Sequence, residues 1–381
     1  MCMSPLCAVG QPFSVRTAQR LPIAQHGSSL SPARRTGHRP SETCPEIGWG
    51  KQVNVRAGVQ GPKLGLLRGL NQDMSAARHN SAMTHLPALP CYLNGEFTQL
   101  QNAKISVMDR GFIFGDGVYE VVPVYGGQTF RFAQHMARLE RSLVELRIAN
   151  PLSRAQWALV SARLIAEHAQ SAMGDEPNAD QMIYIQISRG VAMRDHVMLE
   201  NLQPTVFVMV NRMNTPGEAV RRQGVACVTA DDFRWEKAHI KSTSLLGAVF
   251  SRQISFDAGA LETVMFRDGY LSEAAASNVW LVKDGRVLGA PKDNLVLEGI
   301  RYGLIAEICQ QQSLDFELRR ISRDEVFHAD ELLLSSAAKE VLAITMLDGR
   351  PVGDGRPGPI CARLYAGYQQ AKRVGDAALA V

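Results

Sequence analysis

The chain has 381 residues, of which 46% are hydrophobic and 20% charged, an ordinary composition for a globular protein with room for two domains. No apolar run approaches the roughly 20 residues of a membrane span. The seven cysteines form no CxxC pair and join no histidines at zinc spacing, so no metal is expected and a reduced, cytoplasmic setting is. The net charge of +4 is uneven: residues 1–82 hold ten Lys and Arg against three Asp and Glu, leaving 31 basic and 34 acidic residues beyond. The body is therefore net −3, and neither nucleic acid nor a membrane is an expected partner.

Residues 1–82 are rich in Arg, Pro, Gly, Ser and Gln and have no sustained apolar period. Three readings stand: a disordered extension, an Arg-rich targeting segment, or sequence upstream of a true start at Met83. None of them includes a packed domain.

From Cys91 the texture changes. Tyr92 to Phe97 predicts a hairpin turning at Asn94-Gly95. Asp109 to Val122 combines glycines with a Val/Tyr run that reads as a strand; Gly115-Asp116-Gly117 reads as a turn rather than a phosphate loop, because no helix opens after it. Residues 134–148 predict a helix with Met136, Leu139, Leu143 and Leu146 as its apolar stripe and Arg138 and Arg141 off it. Ser153 with Gln156 is a capping box opening a helix through about Ala172. Met182–Arg189 and Thr205–Val210 read as strands, with a loop between them holding Arg194 and His196. Residues 211–216 are the expected linker, between a smaller domain at 91–210 and a larger one at 217–381.

In the second half Val225–Ala230, Thr263–Phe266, Asn278–Val282 and Leu332–Ser335 read as strands. Helices are expected at 301–312 and 359–372, with a second capping box at Ser322 and Glu325. Lys241 precedes a helical pattern of Leu245, Leu246, Val249 and Phe250. A lysine at the mouth of a helix with few charges beside it is desolvated, which disfavours its ammonium form and suits it to imine formation.

The segments DRGFIFGDGVYEVV, HMARLERS, SRGVAMRDH, HIKSTSLLGAV, LSEAAASNVW and LEGIRYG occur in one order over residues 91–373. Together they resemble the class IV aminotransferases, the pyridoxal 5'-phosphate (PLP) enzymes of fold type IV, and within them the D-amino acid (D-alanine) aminotransferases. The resemblance implies a two-domain α/β (α+β) fold with PLP in the cleft. Lys241 would form the Schiff base and shuttle protons, with Lys237 as a distant rival. Glu273 would hold the proton on the pyridine nitrogen, and Arg138 would meet the phosphate. The turn at Gly299, Ile300 and Arg301 would offer the phosphate backbone N–H groups; relatives carry a hydroxyl where Arg301 stands. Ser336 and Ala337 would make a third phosphate contact, with Ala337 again lacking the relatives' hydroxyl. Tyr119 would lie beside the cofactor, and Arg194 with His196 would trap the substrate α-carboxylate.

The implied reaction transfers an amino group from a D-amino acid such as D-alanine to a 2-oxo acid such as 2-oxoglutarate, giving pyruvate and D-glutamate, in a homodimer that completes the site. A branched-chain-type aminotransferase, an aminodeoxychorismate lyase and a PLP-binding protein with lost turnover stand as alternatives.

Overall fold

The computed structural model describes residues 86–171 and 179–374. The expectations for residues 1–82, for a start at Met83, for Ala172 and for 375–381 lie outside them.

Residues 90–212 build an antiparallel sheet of β1 (Pro90–Leu93), β2 (Glu96–Gln99), β3 (Gly117–Tyr125), β4 (Gln128–Thr129), β5 (Gln181–Ser188) and β6 (Thr205–Arg212), in the order β2-β1-β6-β5-β3-β4. The Asn94-Gly95 turn joins β1 to β2 as expected, both residues at positive φ. Strand β6 runs on through Arg212, which pairs with Gln181, so the expected linker begins inside the sheet. Alternation decides which face is core: Val118, Val122, Ile183, Ile185, Ile187, Val206, Val208 and Val210 are buried against two helices, α2 (Phe132–Glu145) and α3 (Arg154–Gln170). The opposite face, with Tyr119, Val121, Tyr184 and Phe207, is only half-buried. A short α1 (Arg110–Phe114), capped by Asp109 on Gly111 N–H, precedes β3. The capping box of α3 has both its bonds, and α2 buries its predicted stripe.

Beyond α4 (Glu218–Gln223) the chain builds a mixed nine-stranded sheet. Its strands are β7 (Val225–Asp231), β8 (Glu262–Arg267), β9 (Tyr270–Ala274), β10 (Asn278–Lys283), β11 (Arg286–Gly289), β12 (Phe316–Leu318), β13 (Glu331–Ser336), β14 (Glu340–Leu347) and β15 (Arg350–Pro351). The order is β12-β11-β10-β13-β14-β7-β8-β9, with β15 on β14. Both faces are buried, so its strands read as near-continuous apolar runs. Trp280, Val282 and Leu333 face α6 (Ile300–Gln311) and α8 (Pro359–Val374); Val279, Leu281 and Leu332 face the opposite core. The capping box at Ser322 opens the short α7 (Arg323–Phe327).

Helix α5 (Leu246–Asp257) forms where the periodicity places it, but Leu246, Val249 and Phe250 point outward and are each more than half exposed. The pattern that predicts the helix therefore does not mark a core face of this chain. Among the described residues no helix is long and apolar enough to cross a membrane.

Candidate active site

A cavity of about 1330 Å³ lies between the two sheets, and Tyr119, Arg138, Lys241, Glu273, Ile300, Arg301, Ser336 and Ala337 all line it. Eight of the ten residues singled out in the sequence are thus brought together from both halves of the chain.

Lys241 is positioned by the backbone around it. Ile240 is buried in the core of the first sheet, and the next residues run alongside β3 in a strand-like path. Tyr119 N–H donates to the Lys241 carbonyl at 3.0 Å, Thr243 N–H donates to the Gly117 carbonyl at 2.9 Å, and Ser242 bridges Val118. Lys241 N–H donates to Ser142 Oγ at 3.2 Å. Lys241 is therefore held in extended backbone, with α5 starting only at Leu246, rather than at the helix mouth. That register sets Nζ 3.9 Å from the centre of the Tyr119 ring, a close cation–π distance.

Glu273 is buried at the end of β9. Its Oε1 accepts from Arg234 Nη1 at 2.6 Å and its Oε2 from Asn278 Nδ2 at 3.1 Å. Burial pushes its carboxyl above the usual range, and the Arg234 guanidinium opposes that shift. Asn278 also explains Gly299: a Cβ at position 299 would stand 2.1 Å from Asn278 Oδ1, so only glycine lets α6 begin here. Gly299 caps α6 without a side-chain bond, which leaves the N–H groups at this end of the helix facing the cavity.

Arg138, off the apolar stripe of α2, is nonetheless buried. The reason is Glu120, whose carboxylate accepts from Arg138 Nε at 2.9 Å and Nη2 at 2.5 Å and also contacts His135 Nδ1 at 3.0 Å. Arg138 Nη1 donates to the Glu298 carbonyl at 3.2 Å. Burial lowers the His135 ring to about 4 although Glu120 pulls it up, so the ring is neutral, while its neighbours hold Glu120 firmly ionised against burial. Sequence reasoning passed over this triad. Its signal was there: Glu120 shares the inward parity of Val118 and Val122, and a carboxylate at core parity demands partners.

Arg301 is buried rather than turned out to solvent. Its Nη2 donates to the Tyr368 hydroxyl at 2.8 Å, and its Nε has no hydrogen-bond partner. His135 Nε2 is likewise buried and unpartnered. Ser336 Oγ accepts from Lys339 N–H at 3.1 Å, and Ala337 offers no hydroxyl. Orphaned polar atoms on two lining residues, together with a free helix N-terminus, make this end of the cavity fit an anionic group such as a phosphate.

Arg194 and His196 do not line the cavity. Both are exposed and both lie against Phe114, at 5.4 Å for the guanidinium and 5.3 Å between rings. Phe114 itself lines the cavity. Their loop is tied down by Arg110 Nη1, which donates to the Asp195 carbonyl at 2.5 Å; Arg110 and Arg189 also share Asp116.

The family model for amino-transferase class IV matches residues 117–347. The chain is 32% identical over 276 residues to the D-alanine aminotransferase of Bacillus licheniformis, covering 72% of this chain and 94% of that one. It is 34% identical over 280 residues to a D-alanine aminotransferase of Staphylococcus aureus, covering 73% and 96%. This chain belongs to the class IV aminotransferases. It is a PLP-dependent aminotransferase and acts on amino acids and 2-oxo acids. Its architecture is that of fold type IV. The branched-chain amino acid aminotransferase of Escherichia coli superposes with a TM-score of 0.66 at 23% identity, over 74% of this chain and 94% of that one. A fold IV transaminase from Curtobacterium pusillum gives 0.64 at 24% identity, over 73% and 92%. As an aminotransferase, the enzyme has in this cavity the Lys241 amine, the buried Glu273 carboxylate and a cationic end, the donor set that PLP requires.

Proposed function

We propose that the enzyme transfers the amino group of a D-amino acid such as D-alanine to a 2-oxo acid such as 2-oxoglutarate, giving pyruvate and D-glutamate. The observation that carries this reading is the Arg194–His196 pair, both packed on Phe114, which lines the cavity. An arginine fork with a second donor beside it suits an α-carboxylate. The D-alanine aminotransferases that the chain resembles support the same substrate class.

Bound PLP supplies the electron sink and the carbonyl that accepts the amino group. The chain's residues do the rest. Lys241 Nζ is the nucleophile and moves a proton at the substrate Cα, with the Tyr119 ring fixing its position. Glu273 holds a proton at the ring nitrogen. Arg138, clamped by Glu120, and the N–H groups of Ile300 and Arg301 hold the phosphate, with Ser336 and Ala337 closing that end.

The pair on Phe114 lies outside its own chain's cavity, and α5 presents Leu246, Val249 and Phe250 uncovered beside the cavity. Both features support a homodimer in which a second copy completes the site. The sheets at 90–212 and 225–351 are proposed as the cores of the smaller and larger domains.

Titration of purified enzyme with D-alanine tests the reading. The cofactor absorbance is expected to convert to that of the pyridoxamine form. A response to L-isoleucine but not D-alanine would favour a branched-chain-type aminotransferase, and no response to any amino acid would favour a PLP-binding protein with lost turnover.

A further inference from the structure

Glu273 does not stand alone in the cavity wall. Arg234 donates to it through Nη1 at 2.6 Å, while its Nε and Nη2 grip Asp232 in a bidentate pair at 2.9 Å each. Asp232 in turn accepts from Ser272 Oγ at 2.9 Å and faces Arg267 Nη2 at 3.4 Å. Arg267 Nη2 also donates to the Arg234 carbonyl at 2.8 Å. The row behind and in the wall therefore reads Arg267, Asp232, Arg234, Glu273, of which the last two line the cavity: plus, minus, plus, minus, with all four side chains buried or nearly so.

We propose that Arg234 is the positioning residue that keeps Glu273 ionised and aimed into the cavity, so that this alternating row ends at a site for one cationic group, the protonated ring nitrogen of the cofactor. The inference rests on the reading of Glu273 given above and adds the residues that set its charge.

A lone carboxylate in this setting would take up a proton, because burial disfavours its charged form. Protonated, it could no longer hold a proton on a neighbouring nitrogen. A guanidinium at 2.6 Å opposes that. An uncompensated guanidinium would overshoot, drawing off the basicity that Glu273 needs. Asp232 offsets it: its two oxygens occupy the Nε–Nη2 edge of Arg234 while Nη1 goes to Glu273. The grip also stops Arg234 from swinging into the cavity and taking the place of the cationic ligand. Burial works against the Arg234 charge, but Asp232 and Glu273 more than offset it. The four charges sum to zero, so a cation in the cavity is the next member of the row and meets a carboxylate with free lone pairs.

The test is ¹⁵N NMR of the holoenzyme loaded with PLP labelled at the ring nitrogen. The wild-type resonance is expected at the position of a protonated pyridine. Arg234→Gln is expected to move it toward the unprotonated position, and Arg234→Lys, which restores a charge, to recover part of that shift. Asp232→Asn is expected to move it as well, by leaving Arg234 uncompensated, and it carries the test if Arg234→Gln does not fold. A purely structural role would lower the melting temperature without moving this resonance. If folded, loaded Arg234→Gln or Asp232→Asn keeps the wild-type resonance while Glu273→Gln shifts it, the role of Arg234 is wrong. If Glu273→Gln also leaves it unmoved, the reading of Glu273 fails first.

Discussion

Lys241 Nζ stands 3.9 Å from the centre of the Tyr119 ring, and the hydrogen bond from Tyr119 N–H to the Lys241 carbonyl fixes that approach through the backbone. The Lys241 amine is thereby set by a strand register, which a side-chain change cannot easily shift. Tyr119→Phe is expected to keep the ring under the amine and retain most turnover. Tyr119→Ala removes a contact of about 0.5–2 kcal/mol and is expected to lower kcat by roughly 2- to 30-fold. Steady-state kinetics at saturating cofactor distinguish the two.

Glu120 is the carboxylate that neutralises Arg138 inside the protein. Breaking a buried pair by removing one partner leaves the other charge uncompensated. Glu120→Ala is therefore expected to cost about 3–5 kcal/mol of stability and to weaken cofactor retention, read by thermal melting and by cofactor loss on dialysis. Arg138→Ala is expected to weaken cofactor retention in the same way.

Acid should unfold the enzyme through the same cluster. The His135 ring falls from its ordinary 6.5 to about 4, so between these values the unfolded chain binds a proton that the folded chain refuses. Stability from this group is fully present above pH 6.5 and lost as the pH falls through about 4, by on the order of 2–4 kcal/mol. Glu120, depressed further, adds to the loss at still lower pH. His135→Gln is expected to flatten the melting-temperature profile between pH 6.5 and 4; a profile as steep as wild type would assign the loss to other groups.

Arg194→Ala should leave the cofactor spectrum nearly intact while kcat/KM for D-alanine falls by roughly 30- to 1,000-fold, equivalent to about 2–4 kcal/mol for a charge-assisted carboxylate pair. His196→Ala, which removes one donor, should cost less. Release of cofactor with unchanged D-alanine turnover would contradict the assignment.

What could be read in the sequence follows from range. Both capping boxes and the Asn94-Gly95 hairpin depend on residues close together in the chain, and all are present. Met182–Arg189 and Thr205–Val210 were legible as strands, and the structure shows which of their faces is core. Helix α1 escaped notice because five residues with a glycine carry no stripe. The Glu120–His135–Arg138 triad and the row from Arg267 to Glu273 join residues that only folding brings together. The α5 stripe is a different case: periodicity shows a helix but not which side is covered, and here Leu246 and Phe250 stay open to whatever packs on them. Arg194 and His196 both reach Phe114, although their loop bends at both residues instead of running extended, and nothing local reveals that they sit there rather than in their own chain's cavity.

The most direct test is to trap the cofactor on the protein with borohydride and map the labelled peptide by mass spectrometry. The label is expected on Lys241 and should vanish in Lys241→Ala. Label persisting in that variant on Lys237, or on Lys339 in the cavity wall, would contradict the account of the site.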